Sequence, residues 1–250
     1  MPAPRSELVG RVPVRIYEAE GEAPPARVAV LFFHGLRSSS DVLDAEARAI
    51  AAAGMTAVLV DAPHHGARRS RVLETMPDTA TREGYATLLR ILREARDEVP
   101  ALVDHLLARG HARVAIGGVS MGAYVALAAA TREPRLAAVA SLLGSPDWTP
   151  HEGEAAASVA DLAEALSESP HLRAEAIAPR PLLLLNGARD VNVRPEGARS
   201  LAMRLRPLYG RAGAGEALVH REYDVDHFAP PPVWREMVER AVAFLARFAP

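Results

Sequence analysis

Residues 114–122 are a short apolar run that ends in Gly118-Val119-Ser120-Met121-Gly122, a G-x-S-x-G leading into the Ala-rich stretch Ala123 to Thr131. A serine hydroxyl is a poor nucleophile until a base removes its proton, and that base needs a carboxylate to orient it. A serine on a tight strand-to-helix turn is held in a strained conformation with its hydroxyl pushed clear of the sheet. Gly118 and Gly122, lacking Cβ, let neighbouring segments pass close to such a turn. The N–H of Met121, at the start of the following helix, can point into an oxyanion hole. The plain alternative is a βα turn in which Ser120 only caps a helix. The strand before and the helix after Ser120 favour the nucleophile.

The partners of such a serine follow it in the chain in the order Asp or Glu, then His. Residues 182–190 read Leu-Leu-Leu-Leu-Asn-Gly-Ala-Arg-Asp, a strand and a Gly turn that deliver Asp190. Residues 222–228 deliver His227 after a last strand and before a closing helix. Both then lie in loops at the carboxyl ends of strands, where open α/β sheets keep their sites. Asp147, after the preceding strand, is the alternative acid, and Asp190 has the alternative role of capping the helix that begins near Pro195. Asp224 and Asp226 are too near His227 in sequence to be first choices, and His220 sits within the last strand. A second oxyanion donor is expected from the loop after an early strand. Phe32-Phe33-His34-Gly35-Leu36 fits, with the Leu36 N–H as donor and His34 as a structural residue. His64 and His65, in Asp61-Ala62-Pro63-His64-His65-Gly66, are expected to line the substrate pocket. Two adjacent histidines without a third ligand make a poor metal site, and none is expected.

Several elements must hold these residues. Val12 to Tyr17 reads as a strand that pairs with Glu7 to Val9 across Gly10. Continuous apolar strands are expected at 28–33, 55–60, 114–119, 136–143 and 181–185, with a last strand at 217–223. Helices are expected at 41–53, 81–108 (bent by Pro100), from 121, 195–205 and 233–248. Continuous apolar strands alternating with helices predict a mostly parallel, doubly wound α/β sheet covered on both faces. No repeat or linker interrupts residues 1–250, so a single domain is expected. Residues 146–178, acidic and Ala-rich with a helical stretch near 155–166, break the alternation. They read either as a small helical lid over the site or as a crossover helix with long loops.

Composition narrows the classes. The chain has 250 residues, no cysteine and a formal net charge of −2. Disulfides, thiolate zinc sites and cysteine nucleophiles are excluded, and no global field draws the chain to nucleic acid or anionic membrane. No apolar stretch reaches the ~18 residues needed to span a bilayer, and the first residues lack the apolar core of a signal peptide. A cytoplasmic location is the expectation. All 29 basic residues are Arg, the amides are Asn186 and Asn192 alone, and Gln is absent. Scarce amides fit a heat-stable protein, but the lack of Lys fits a GC-biased coding sequence better. The Arg68, Arg69, Arg71 cluster reads as a solvated loop.

His34-Gly35, Asp61 to Gly66, Gly118 to Gly122, Asp190 and His227 together resemble the α/β-hydrolase superfamily. The likeness runs from residue 28 to the end of the chain. Asp-x-Pro-x-His-Gly-x-Arg at 61–68 with Gly-Val-Ser-Met-Gly is similar to small bacterial serine esterases related to the prolyl oligopeptidase and dienelactone hydrolase groups. The resemblance implies Ser120 as nucleophile, His227 as base and Asp190 as its acid, with no cofactor. The chain lacks the cysteine nucleophile of dienelactone hydrolases and the residues needed for a prolyl oligopeptidase propeller. A small-molecule ester, short in its acyl part, is the expected substrate. A peptidase, thioesterase or acyltransferase on the same fold is the alternative, and a non-catalytic binding protein on this scaffold stands behind it. The natural substrate and the oligomeric state are not written in the sequence.

Overall fold

A computed structural model describes residues 3–19, 26–150 and 160–249. Among the described residues there are eight strands: β1 (Arg5–Val9), β2 (Val12–Tyr17), β3 (Val28–Phe33), β4 (Thr56–Val60), β5 (Arg113–Val119), β6 (Leu136–Leu142), β7 (Leu182–Gly187) and β8 (Leu218–Tyr223). The helices are α1 (Asp44–Ala52), α2 (Arg71–Glu74), α3 (Arg82–Ala108), α4 (Met121–Ala130), α5 (Ala160–Ser167), α6 (Glu196–Arg211) and α7 (Pro231–Phe248). One sheet holds all the strands in the order β1-β2-β4-β3-β5-β6-β7-β8. The six strands from β4 to β8 in that order are parallel to one another, while β2 runs antiparallel to both β1 and β4. This is an α/β-hydrolase-like fold.

Every residue of β3 is buried, because helices cover both faces of the sheet. Ala29, Leu31 and Phe33 join the core built with α3, α4 and α6, whereas Val28, Val30 and Phe32 join the core built with α1 and α7. That two-residue alternation is the pleat of a central strand carrying apolar side chains on both faces.

The chain passes from β3 to β4 on one side and then returns to β5 on the other side of β3. The loops leaving β3 and β5 therefore diverge and open a crevice at the carboxyl edge. His34 to Arg37 leave β3 there, and Ser120 leaves β5.

Three expectations shift in detail. The 41–53 helix is a 3₁₀ turn over Ser40–Leu43 followed by α1. The 195–205 helix continues to Arg211 through Pro207. Of the 146–178 segment, residues 151–159 lie outside the described residues. Of the rest, Ala160–Ser167 forms α5 and Pro170–Ala176 a 3₁₀ stretch.

Candidate active site

Ser120 sits between β5 and α4 with φ 53° and ψ −119°, a conformation that L-residues avoid and that persists only when the surroundings dictate it. Its N–H donates to Leu142 O at 2.9 Å, tying the turn to β6. Gly122 is obligatory because a Cβ there would fall 2.1 Å from Phe33 O and 2.8 Å from His34 O. The start of α4 thus presses against the end of β3, which brings Ser120 beside the Gly35 loop. Four non-glycine residues have positive φ among the described residues: Arg37, His64, Ser120 and Leu143. Arg37, Ser120 and Leu143 lie on loops at the carboxyl edge, and Ser120 and Leu143 line one cavity.

Ser120 Oγ lies 2.9 Å from His227 Nε2. His227 Nδ1 lies 2.7 Å from Asp190 Oδ2. A carboxylate only accepts, so Nδ1 carries the proton and Nε2 is left to accept from the serine hydroxyl. Asp190 is nearly sealed from solvent, and its other oxygen, Oδ1, accepts from the N–H groups of Asn192 (2.9 Å) and Val193 (2.8 Å). Those bonds hold the carboxylate in one orientation. They also occupy it well short of α6, which starts at Glu196, so Asp190 is not that helix's cap.

The loops that carry Asp190 and His227 are joined main chain to main chain: Ala188 N–H donates to Tyr223 O at 2.7 Å and Arg189 N–H to Val225 O at 3.0 Å. A Cβ on Gly187 would meet Val225 O at 2.7 Å, so only glycine allows this approach.

Asp147 lies on the same cavity but outside this relay. Its Oδ1 accepts from Thr149 N–H at 2.9 Å and lies 3.3 Å from His171 Nδ1.

Leu36 and Met121 both line the cavity that holds Ser120 and His227. Met121 opens α4, where backbone N–H groups have no acceptor within the helix. A Cβ added at Gly35 would lie 3.7 Å from Ser120 Cβ, so the Leu36 loop packs directly on the serine turn.

The cavity measures about 940 Å³. Leu36, Leu88, Val119 and Leu143 give it apolar wall, and Asp78, Asp147, Arg194 and Glu196 give it charged wall. Val42, Val191 and Phe228 line it while strongly exposed, Val191 at 75 % and Phe228 at 80 %. Phe228 also meets the His227 ring edge-on, with centroids 5.5 Å apart. Tyr124 lines the cavity one helical turn after Ser120. Burial pushes its phenol above the ordinary tyrosine range, with Tyr85 and the carboxylates of Asp190 and Asp147 adding to the effect. Sequence reading missed Tyr124, although the i, i+4 spacing from Ser120 is a usable signal. Val191 and Phe228 carried a signal too, as apolar residues in loops directly after Asp190 and His227.

His64 and His65 do not line this cavity, a correction to the expectation that they meet substrate. His64 turns to Ser70 Oγ (2.8 Å) and Glu94 Oε2 (3.0 Å). His65 is fully buried and stacks obliquely on His34, with ring centroids 5.0 Å apart. The turn after Pro63 carries the His65 ring against the Leu36 loop and the His64 ring toward α3, neither into the crevice. Among the described residues, no group of three or more His, Cys, Asp or Glu is arranged to hold a metal ion. Among them, too, no helix is long and apolar enough to cross a membrane.

Comparison with known proteins agrees with this architecture. Residues 24–173 match the family model described as Serine aminopeptidase, S33. Esterase YjfP of Escherichia coli (strain K12) is 32 % identical over 202 residues, spanning 74 % of this chain and 77 % of that protein. The crystal structure of TT1662 from Thermus thermophilus superposes with a TM-score of 0.80 at 23 % identity, over 98 % of this chain and 97 % of the other. A cold-adapted esterase from an Arctic intertidal metagenomic library superposes with a TM-score of 0.67 at 19 % identity, over 99 % and 93 %. At such identities the two structures speak for the fold alone. The family match and the E. coli relative go further: the chain belongs to the S33 serine aminopeptidase family of the α/β-hydrolase superfamily and is a hydrolase.

Proposed function

We propose that this protein cleaves carboxylic esters through an acyl-enzyme on Ser120. The observation that carries the reading is the unbroken relay Ser120 Oγ–His227 Nε2 (2.9 Å) and His227 Nδ1–Asp190 Oδ2 (2.7 Å) at the wall of an open cavity. The likeness to Esterase YjfP supports the ester as substrate. Ser120 Oγ attacks the carbonyl carbon as its proton passes to His227 Nε2. The N–H groups of Leu36 and Met121 take the charge that develops on the carbonyl oxygen. The intermediate collapses, the C–O bond to the alcohol breaks, and His227 returns the proton to the leaving oxygen. Water then attacks the acyl-enzyme with His227 again as base, releasing the acid and restoring the serine hydroxyl. Asp190 fixes the imidazole tautomer and stabilises the imidazolium at each step.

Esters of small acids are the first class proposed. The cavity of about 940 Å³ has room for more, and Val42, Val191 and Phe228 offer apolar surface at its mouth. A p-nitrophenyl ester series of graded acyl length reads this directly. Ser120→Ala should lower kcat by about 10³-fold or more with the circular dichroism spectrum unchanged. Retention of more than a few per cent of activity would sink the nucleophile assignment.

A second reading, release of an amino-terminal residue from a peptide, is favoured by the carboxylates of Asp78, Asp147 and Glu196 on the cavity wall, which suit an ammonium group. Aminoacyl p-nitroanilides tested beside the esters separate the two, with the larger kcat/KM deciding.

A further inference from the structure

The loop that carries Leu36 is held in an unfavourable shape. Arg37 has φ +59°, a left-handed conformation that crowds a side chain's Cβ against the following carbonyl oxygen. Such a conformation persists only where neighbours over-determine it. Three contacts do so. The Arg37 N–H donates to His65 Nε2 at 3.1 Å. Its guanidinium donates to Leu73 O at 3.2 Å and to Met76 O at 2.7 Å, which pins the side chain to the segment around α2.

The two buried histidines behind the loop have tautomers set by the backbone. His34 Nε2 accepts from Ala62 N–H at 3.1 Å, so His34 Nδ1 carries the proton and donates to Gly35 O at 2.8 Å. His65 Nε2 accepts from Arg37 N–H, so its Nδ1 donates to Pro63 O at 2.7 Å. Burial pushes His65 down to about 4, against a partial opposing pull from the Pro63 carbonyl. The ring is therefore neutral at neutral pH, as an acceptor must be. Asp61 closes the arrangement from below. Its Oδ1 accepts from Ser40 N–H at 2.8 Å and its Oδ2 from Ala67 N–H at 2.9 Å, so the His34 and His65 loops are stitched to each other.

The geometry has a specific consequence for Leu36. Gly35 O and Leu36 N–H belong to one peptide plane and point in opposite directions. Gly35 O accepts from His34 Nδ1 and from the Ser38 N–H at 3.3 Å, so that plane is restrained from its carbonyl side. The next plane, between Leu36 and Arg37, is free to turn unless its own N–H is held, and His65 holds it. We infer that His65 is a positioning residue for the oxyanion hole. By accepting the Arg37 N–H it locks the peptide plane after Leu36, so that the Leu36 N–H faces the oxyanion formed at Ser120.

This inference rests on the proposed chemistry at Ser120, and its test separates the two. Removing an oxyanion donor outright costs about 10²–10³ in kcat. Misaiming one through His65→Leu should cost about 10- to 100-fold in kcat, with KM within about threefold. His65→Gln, which keeps an acceptor at similar reach, should recover most of that loss. His65→Met replaces the leucine variant if the latter does not fold, with thermal melting as the check. Amide hydrogen exchange over residues 34–41 gives a readout free of catalysis: Arg37 should exchange faster in His65→Leu than in wild type or His65→Gln. A folded His65→Leu with wild-type kcat overturns the proposal. So does a loss confined to KM, or a glutamine variant no better than the leucine one. If wild-type protein turns over no ester, the ester reading falls, and unchanged Arg37 exchange across the variants would then overturn the clamp on its own terms.

Discussion

Asp190 and Asp147 are both carboxylates on loops that follow strands, and what separates them is how their oxygens are occupied. Asp190 spends one oxygen on His227 and the other on two backbone N–H groups, with its side chain wholly buried. Asp147 is partly exposed, caps its own turn at Thr149 and faces His171. An amide at 190 would orient the imidazole poorly and could not stabilise its charge. Asp190→Asn should therefore lower kcat by about 10²- to 10⁴-fold. Asp147→Asn should change kcat on a neutral ester by less than about threefold. Steady-state kinetics on the two variants, with circular dichroism to confirm folding, checks this. A crippled Asp147→Asn beside an active Asp190→Asn would reverse the assignment.

At the scale of elements, α5 and the 3₁₀ stretch after it are fastened to α3 and the turn after α4 by two carboxylates, Glu164, which pairs with Arg93 at 2.9 Å, and Glu168. Glu168 pairs with Arg93 at 2.9 Å, with Arg132 at 3.0 Å and with the nearly buried Arg96. Burial alone would raise the Glu168 carboxyl, yet Arg96, Arg93 and Arg132 together hold it below the usual range. Glu168→Gln leaves three guanidinium groups facing an uncharged amide. It should lower the unfolding free energy by about 1–3 kcal/mol, less than the ~3–5 of a fully buried pair because two of the arginines are partly solvated. The urea midpoint measures it, and an unchanged midpoint would show that the arginines contribute no net attraction. This network could not be read from the sequence, since its partners lie up to 75 residues apart. The strands could, because continuous apolar runs such as 28–33 have no other use in a chain of this length. The serine turn could as well, because its glycines and its neighbours are local. The end of α6 could not: Pro207 reads as a stop, yet Tyr209 beyond it is fully buried and donates to Arg180 O, which draws the helix onward. Nor could the place of His65, because the turn of the loop after β4, and not residue type, decides which way its ring faces.

Acid sensitivity belongs to the whole molecule. His34, His65, His111 and His220 sit on four different segments, and burial is the main cause lowering each of them. Above about pH 6.5 all four are neutral folded or unfolded, and their contribution is complete. As pH falls below that value the unfolded chain binds protons that the folded one refuses. Stability then drops by up to ~1.4 kcal/mol per pH unit for each group. For His65 the loss continues to about pH 4, where the folded ring also begins to take a proton. Urea midpoints measured from pH 7.5 to 4.5 should fall steadily, and less steeply in His65→Gln. A flat profile would contradict neutral burial.

The relay itself spans the molecule. Ser120 leaves a central strand, whereas His227 follows β8 at the far edge of the sheet, 107 residues later. No fragment that ends before β8 can contain His227. In a refolding chain, contacts of such long range close late, because the intervening loop must be ordered first. On the proposed chemistry, turnover keeps time for assembly: helical signal returns while the chain is inert, and the first ester cleaved marks the moment β8 has docked.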